Sequence, residues 1–149
     1  MKKILAVASA GGHWTEMMLL KEIFDGHDVA FVCTMEMYRS EVAPNRFYAI
    51  PGVSRLYKRS IAVSVAKLLF ILVREKPDVV ITTGSAPGLL AIFFSKMLGA
   101  RTVWIDSIAS IEQLSLSGRM AKKFADLWIT QWPHLADPVD GPTYQGSVL

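Results

Sequence analysis

Short apolar runs alternate along the chain with longer segments whose apolar residues have helical spacing. The short runs predict β-strands at residues 4–8, 28–34, 46–50, 78–82, 101–106 and 127–130. The longer segments predict helices at residues 14–24, 36–43, 60–74, 87–98 and 118–124. Strands that alternate with helices are typical of a parallel sheet with helices on both faces. We therefore predict a single α/β, Rossmann-like domain over residues 1–149, with residues 135–149 as a loop or tail.

The composition narrows the class of partner. Hydrophobic residues make up 52% of the chain and charged residues 19%, which is more apolar than an average soluble domain. The net charge of +3 is too small to indicate nucleic acid, and no basic stripe with interleaved aromatic residues is present. A small basic excess favours an anionic membrane surface. Cys33 is the single cysteine, which excludes an internal disulfide and fits a reducing, cytosolic compartment.

The turn between the first predicted strand and helix, Ser9-Ala10-Gly11-Gly12-His13, contains candidate chemistry. Glycines let the backbone turn sharply and approach a ligand. The N–H groups of a helix start suit an anion or a polar oxygen, and a histidine titrates near neutral pH. The turn thus indicates a domain that handles a phosphorylated or glycosylated small molecule. Two structural alternatives stay open, a plain strand-to-helix turn and a histidine bonded to backbone, and the glycines match neither the dinucleotide fingerprint nor the P-loop.

Two later strand ends supply further candidate ligand groups. Gly84 and Ser85 follow the fourth predicted strand, and Asp106 and Glu112 follow the fifth. Because ligands of parallel sheets bind at the carboxyl ends of the strands, we expect Gly84, Ser85 and Asp106 to share a site with the first glycine turn. The alternatives are that Ser85 caps the following helix, with Pro87 in its first turn, and that Asp106 or Glu112 caps the next one.

The segment at residues 57–74 is apolar around most of its helical circumference. Its basic residues are spread along it, at Lys58, Arg59, Lys67 and Arg74. The pattern fits either a buried core helix or a helix in the membrane interface, with its basic residues toward lipid headgroups. No apolar stretch reaches the roughly 18 residues that span a bilayer.

Several motifs occur in the order of a known family. They are residues 9–13 followed by Glu16-Met17, Asp106-Ser107, residues 113–118, residues 125–127, Gln131-Trp132-Pro133, and Tyr144 with Gly146. Together they resemble the glycosyltransferase subunits typified by bacterial PssD and CpsF. The eukaryotic relative of that family is the membrane-anchor subunit of the ER enzyme that adds the second GlcNAc to dolichol-diphosphate-GlcNAc.

The resemblance implies half of a GT-B glycosyltransferase, equivalent to the N-terminal, acceptor-side domain of enzymes such as MurG. A separate donor-binding subunit similar to PssE or CpsG would hold most of the UDP-sugar, which is UDP-GlcNAc, UDP-glucose or UDP-glucuronate. The acceptor would be a polyprenyl-diphosphate-linked sugar in capsule, exopolysaccharide or lipid-linked oligosaccharide assembly. The implied location is the cytoplasmic face of the cytoplasmic membrane, with peripheral contact, since this chain starts directly at its first strand whereas the eukaryotic relatives begin with a membrane anchor. No cofactor besides the UDP-sugar is expected.

The resemblance also implies roles for individual residues. His13 would be the general base or would orient the acceptor, and Glu16, one turn later, would orient His13. The backbone N–H groups of Gly11 and Gly12 would stabilise charge on the leaving diphosphate. The chain has no Asp-x-Asp metal motif, so we expect a metal-independent reaction.

Two other functions stay open at this point. The chain could be a non-catalytic membrane adaptor that recruits and stimulates a separate catalytic subunit. It could also be a free-standing nucleotide-binding enzyme, although the missing dinucleotide fingerprint counts against that function.

Overall fold

The computed structural model of the protein describes residues 1–54 and 56–149. Its central element is a parallel β-sheet. Seven strands form the sheet in the order β3-β2-β1-β4-β5-β6-β7. Every neighbouring pair is parallel. The strands are β1 (Lys3–Val7), β2 (Asp28–Cys33), β3 (Arg46–Ala49), β4 (Val79–Thr82), β5 (Arg101–Ile105), β6 (Leu127–Thr130) and β7 (Thr143–Tyr144).

Helices cover both faces of this sheet, which confirms the predicted Rossmann-like class. They are α1 (Gly12–Leu19), α2 (Arg39–Val42), α3 (Lys58–Glu75), α4 (Ser85–Met97) and α5 (Leu116–Ala121). Side chains along β1 alternate between the two faces, as a strand requires. Leu5 and Val7 pack with Leu68 of α3 and Ile92 of α4 on one face. Ile4 and Ala6 belong to the core on the other face, with α1 and α2.

Two predicted helices are shorter and less regular than expected. The helix predicted at residues 14–24 ends at Leu19, because the Leu20 N–H bonds to the Met17 carbonyl three residues back; a short 3₁₀ turn, Lys21–Phe24, follows. The helix predicted at residues 36–43 is a 3₁₀ turn, Glu36–Tyr38, continued by α2.

The prediction that residues 135–149 form only a loop or tail is wrong in one respect. Residues Thr143–Tyr144 pair with β6 and add a seventh parallel strand at the edge of the sheet. The Thr143 hydroxyl also donates to the Trp128 carbonyl over 3.3 Å. A strand of two residues has no measurable period, so tertiary pairing and not local pattern creates it.

A polar cluster joins the end of α3 to the two strands at the far edge of the sheet. The Glu75 carboxylate is nearly buried and accepts hydrogen bonds from the Arg46 guanidinium at 2.9–3.1 Å and from the Tyr48 hydroxyl. Arg46 also pairs with Asp28 at 2.8 Å. Burial by itself would raise the pKa of the Glu75 carboxyl, but the bonds from Arg46 and Tyr48 outweigh burial and hold that pKa below its ordinary value.

This cluster predicts a pH dependence of stability. A carboxyl whose pKa is lower in the folded state contributes stability above its unfolded pKa, and that stability is lost as pH falls through the folded pKa. We expect the unfolding free energy to decline as pH drops below about 4.5, and Glu75→Gln to flatten that decline. Urea unfolding across this pH range measures the slope, with the exposed Glu22→Gln as control. Equal slopes in the wild type and in Glu75→Gln would contradict the assignment.

Candidate active site

Two strand-to-helix turns meet at the carboxyl end of the sheet, where its parallel strands end. The chain runs from β1 to β2 on one side and reaches β4 on the other, so β1 and β4 flank the point where strand order reverses. Open parallel sheets bind their ligands at such a switch point. The turn after β1 holds Gly11, Gly12 and His13, and the turn after β4 holds Gly84 and Ser85. The structure therefore brings these predicted residues together.

A pair of hydrogen bonds holds the His13 ring against the second turn. His13 Nδ1 lies 2.9 Å from the Thr83 carbonyl oxygen, and the Thr83 hydroxyl donates to the His13 carbonyl over 2.6 Å. A carbonyl only accepts, so Nδ1 is the protonated nitrogen of the neutral ring and Nε2 presents its lone pair. Among the described residues, Nε2 has no hydrogen-bond partner. His13 as a whole is half-buried.

The Gly84 backbone packs directly against the His13 imidazole. A Cβ at this position would lie 2.9 Å from His13 Cε1 and 3.0 Å from Nδ1. The Gly84 φ angle of 126° also belongs to a region that is open essentially to glycine alone. Its role is to let the backbone approach the catalytic candidate, which differs from the ligand contact expected from the sequence.

The first glycine turn is open on its outer side. Gly11 has a φ of 84° and precedes α1, and a Cβ added at Gly11 or Gly12 would have no neighbour within 4 Å. The first N–H groups of any helix lack carbonyl partners within the helix. At α1 these groups belong to Gly12, His13 and Trp14, so the turn offers donors beside His13, as the anion-binding hypothesis requires.

Glu16 lies on the same helix but faces a different loop. Its side chain is 5% exposed. Oε1 accepts from the Ser107 hydroxyl at 2.7 Å and from the Ile108 N–H at 3.2 Å, and Oε2 accepts from Gln131 Nε2 at 3.0 Å. Thr83, and not Glu16, is hydrogen-bonded to the His13 ring. The arrangement makes Glu16 an anchor between α1 and the loop after β5.

Asp106 and Ser85 also differ from their expected contacts. Asp106 is 1% exposed, and its carboxylate accepts from the Trp104 indole and from both the N–H and hydroxyl of Ser115. Ser115 in turn caps α5 through the Gly118 N–H. Asp106 therefore does not cap α5 itself but holds Ser115, the residue that does. Ser85 lies inside α4 with a φ of 68°, makes no cap bond, and keeps a buried hydroxyl without a partner among the described residues.

Sequence reasoning missed two residues of this region, Thr83 and Gln131. Thr83 directly follows β4, and a hydroxyl residue at a strand end is the signal that was present. Gln131 is visible in the sequence only as part of a family motif, and its bond to Glu16 spans 115 residues of sequence. The described residues contain no group of three or more His, Cys, Asp or Glu side chains placed to hold a metal ion. Within the same residues, no helix is both long and apolar enough to cross a bilayer.

The fold places the chain in a structural class. MurG from Acinetobacter baumannii superposes with a TM-score of 0.79 over 99% of this chain and 45% of its own, at 14% identity. UDP-N-acetylglucosamine 2-epimerase from Rickettsia bellii gives a TM-score of 0.73 over the same two fractions, 99% and 45%, at 18% identity. The chain thus has the architecture of the N-terminal half of a GT-B glycosyltransferase and spans under half of either solved chain.

Sequence comparison gives the family. Residues 52–148 match the model "Oligosaccharide biosynthesis protein Alg14 like", so the chain belongs to this family. The "UDP-N-acetylglucosamine transferase subunit ALG14" of Eremothecium gossypii is 29% identical over 99% of this chain and 80% of its own length. The human protein of the same name is 25% identical over 98% of this chain and 82% of its own. The eukaryotic side of the predicted family is therefore confirmed.

Proposed function

We propose that this chain is the acceptor-side subunit of a two-chain glycosyltransferase that uses a UDP-sugar. The observation that carries the proposal is the His13 ring, whose Nδ1 is held by Thr83 while Nε2 is available at the switch point of the sheet. Family membership supports a subunit role, and the name of the relatives, UDP-N-acetylglucosamine transferase subunit, favours UDP-GlcNAc over UDP-glucose or UDP-glucuronate.

In the proposed reaction, groups of this chain accept one proton and stabilise one developing negative charge. The acceptor hydroxyl oxygen attacks the anomeric carbon of the donor sugar, and the bond from that carbon to the UDP oxygen breaks. His13 Nε2 takes the hydroxyl proton as the new glycosidic bond forms. Of the two N–H groups expected to stabilise negative charge on a diphosphate, that of Gly11 donates to the Tyr38 hydroxyl over 3.4 Å. The N–H of Gly12, at the start of α1, takes this role, for the diphosphate either of the acceptor or of the leaving UDP.

The proposal includes a partner and a lipid-linked acceptor. A donor-binding subunit, similar to PssE or CpsG if the bacterial capsule or exopolysaccharide assignment holds, would close over the carboxyl end of the sheet. A polyprenyl-diphosphate-linked sugar would reach His13 from the cytoplasmic face of the membrane. The relatives, which are named as subunits of a transferase, support a second chain.

Helix α3 supports peripheral membrane contact. One side packs in the core through Leu68, Ile71 and Leu72. The opposite side exposes apolar side chains, including Phe70 at 62% and Val73 at 60%. The exposed basic residues Lys58, Arg59, Lys67 and Arg74 lie along the same helix. An exposed apolar stripe with basic neighbours is the composition of a helix that binds an anionic lipid surface.

This surface predicts vesicle binding. We expect Phe70→Glu to weaken co-sedimentation with vesicles of phosphatidylcholine and phosphatidylglycerol by about tenfold, because it places a charge in the exposed apolar stripe that would enter the lipid. Leu19→Glu is the matched control, since Leu19 is 52% exposed and lies on α1, across the sheet from α3. Equal binding by both variants would refute a lipid-facing role for α3.

Sugar transfer from radiolabelled UDP-sugars to polyprenyl-diphosphate-linked sugar tests the function itself. The chain alone, the donor-binding subunit alone and both together are compared. Transfer only with both chains is the expected result. Equal transfer by the donor-binding subunit alone would reduce this chain to a membrane adaptor.

A further inference from the structure

The Gln131 side chain, at the end of β6, joins distant parts of the chain. Gln131 is 3% exposed. Its Nε2 donates to Glu16 Oε2 and to the Asp106 carbonyl, both at 3.0 Å, and its Oε1 accepts from the Val148 N–H at 3.1 Å. Because both Nε2 partners can only accept and the Val148 N–H can only donate, the amide has one usable orientation. One side chain therefore links α1, the end of β5 and the C-terminal segment.

The two bonds that Gln131 Nε2 donates, to Glu16 and to the Asp106 carbonyl, help to fix the loop between β5 and α5, residues 106–115. Glu16 holds the Ile108 N–H, as described above, and the Trp132 indole donates to the Ile108 carbonyl over 2.7 Å. Both the N–H and the carbonyl of Ile108 are therefore hydrogen-bonded. The tip at residues 109–113 follows this fixed residue, and the bonds to Glu16 join the base of the loop to α1, the helix that begins at Gly12.

On its other side, Gln131 is bonded to the C-terminal segment, residues 145–148. Together with Leu20, Ile105, Ile129 and Gln131, this segment lines a small cavity of about 170 Å³. The Val148 N–H of this segment is joined to the protein interior by its hydrogen bond to Gln131 Oε1. No hydrogen bond in the described part of the chain joins residues 145–148 to the loop tip. Any influence of this segment on the loop must therefore pass through the Gln131 amide or through packing.

We propose that Gln131 is a positioning residue that couples the C-terminal segment to α1 and to the loop at residues 106–115. When the Val148 N–H is docked, the amide is fixed and both of its donors face Glu16 and the Asp106 carbonyl. When Val148 is undocked, the amide can rotate, Glu16 loses one of its three donors, and the hold on Ile108 and on the His13 helix weakens. The catalytic consequence rests on the proposed function; the coupling itself does not.

Amide hydrogen exchange tests the coupling on the intact chain. Val148→Pro removes the N–H that bonds to Gln131, whereas Val148→Ala keeps it. We expect exchange at Ile108 to rise about fivefold in Val148→Pro, as the loss of one net hydrogen bond implies, and to stay unchanged in Val148→Ala. Gln131→Met keeps side-chain length but removes every link, so adding Val148→Pro to it should have no further effect.

Two results would overturn the coupling. One is equal exchange at Ile108 in Val148→Pro and Val148→Ala. The other is an undiminished effect of Val148→Pro in the Gln131→Met background, or in Gln131→Glu if the methionine variant does not fold. In the reconstituted pair, Val148→Pro should lower kcat about fivefold and leave the KM for UDP-sugar unchanged. If the wild-type pair transfers no sugar, the proposed function fails, while the exchange experiment still decides the role of Gln131.

Discussion

Replacing His13 with alanine should lower sugar transfer by the reconstituted pair by roughly 100- to 10,000-fold, the usual contribution of a general base. The substitution removes the nitrogen that accepts the proton and also the bond to the Thr83 carbonyl. The helix that starts at Gly12 keeps its Glu16 anchor, so folding and subunit pairing should persist. Single-turnover transfer with saturating donor measures the chemical step directly.

Two control variants distinguish the loss of the general base from the loss of the other contacts of the His13 side chain. His13→Gln has an amide that can still donate to the Thr83 carbonyl but cannot act as a base, so it should be nearly as impaired as His13→Ala. His27→Ala removes an exposed histidine that accepts from the Lys2 N–H, and it should retain full activity. A His13→Ala pair that keeps more than about a tenth of the wild-type rate would exclude His13 as the general base.

The fold was largely predictable because it depends on local signals. Each of the six longer strands coincides with a run of apolar residues, and the turns that precede α1 and α4 contain glycines at positive φ, Gly11 and Gly84. β7 was missed because its two residues are held only by pairing with β6. Irregular ends of helices, as at Leu20, follow from bonds that no periodicity encodes.

The candidate site was predictable in location but not in every role. Parallel strands end together, so the glycine turns after β1 and β4 had to meet, and they do. The sequence predicts that the acids Glu16 and Asp106 serve the site directly, yet both carboxylates are buried and accept bonds from within the chain. Their partners lie 91 and 9 residues away in the sequence. A side chain's charge is visible in a sequence, whereas the donors that surround it arise only from packing.

Gly84 provides the second large effect, because it supports the His13 ring without touching substrate in its proposed role. An alanine Cβ would overlap the imidazole at 2.9 Å from Cε1, and the φ of 126° at residue 84 is one that a residue with a side chain rarely adopts. The ring must therefore move off the Thr83 carbonyl. A displacement of about 1 Å at a catalytic group can cost 100-fold in rate, so Gly84→Ala should lower kcat by about that factor.

Gly26→Ala is the matched control for backbone strain. Gly26 has a φ of 76° but no atom within 4 Å of an added Cβ, so it reports the cost of a positive φ alone. Both variants should lose about 1–3 kcal/mol of unfolding free energy, which denaturant titration measures, but only Gly84→Ala should lose transfer activity. If Gly84→Ala retained the wild-type kcat, the ring would tolerate displacement, and the fixed orientation of Nε2 could not be the basis of catalysis. A large loss of kcat with an unchanged acceptor KM would instead show that the two glycine turns act as one unit, the first supplying the base and the second its position.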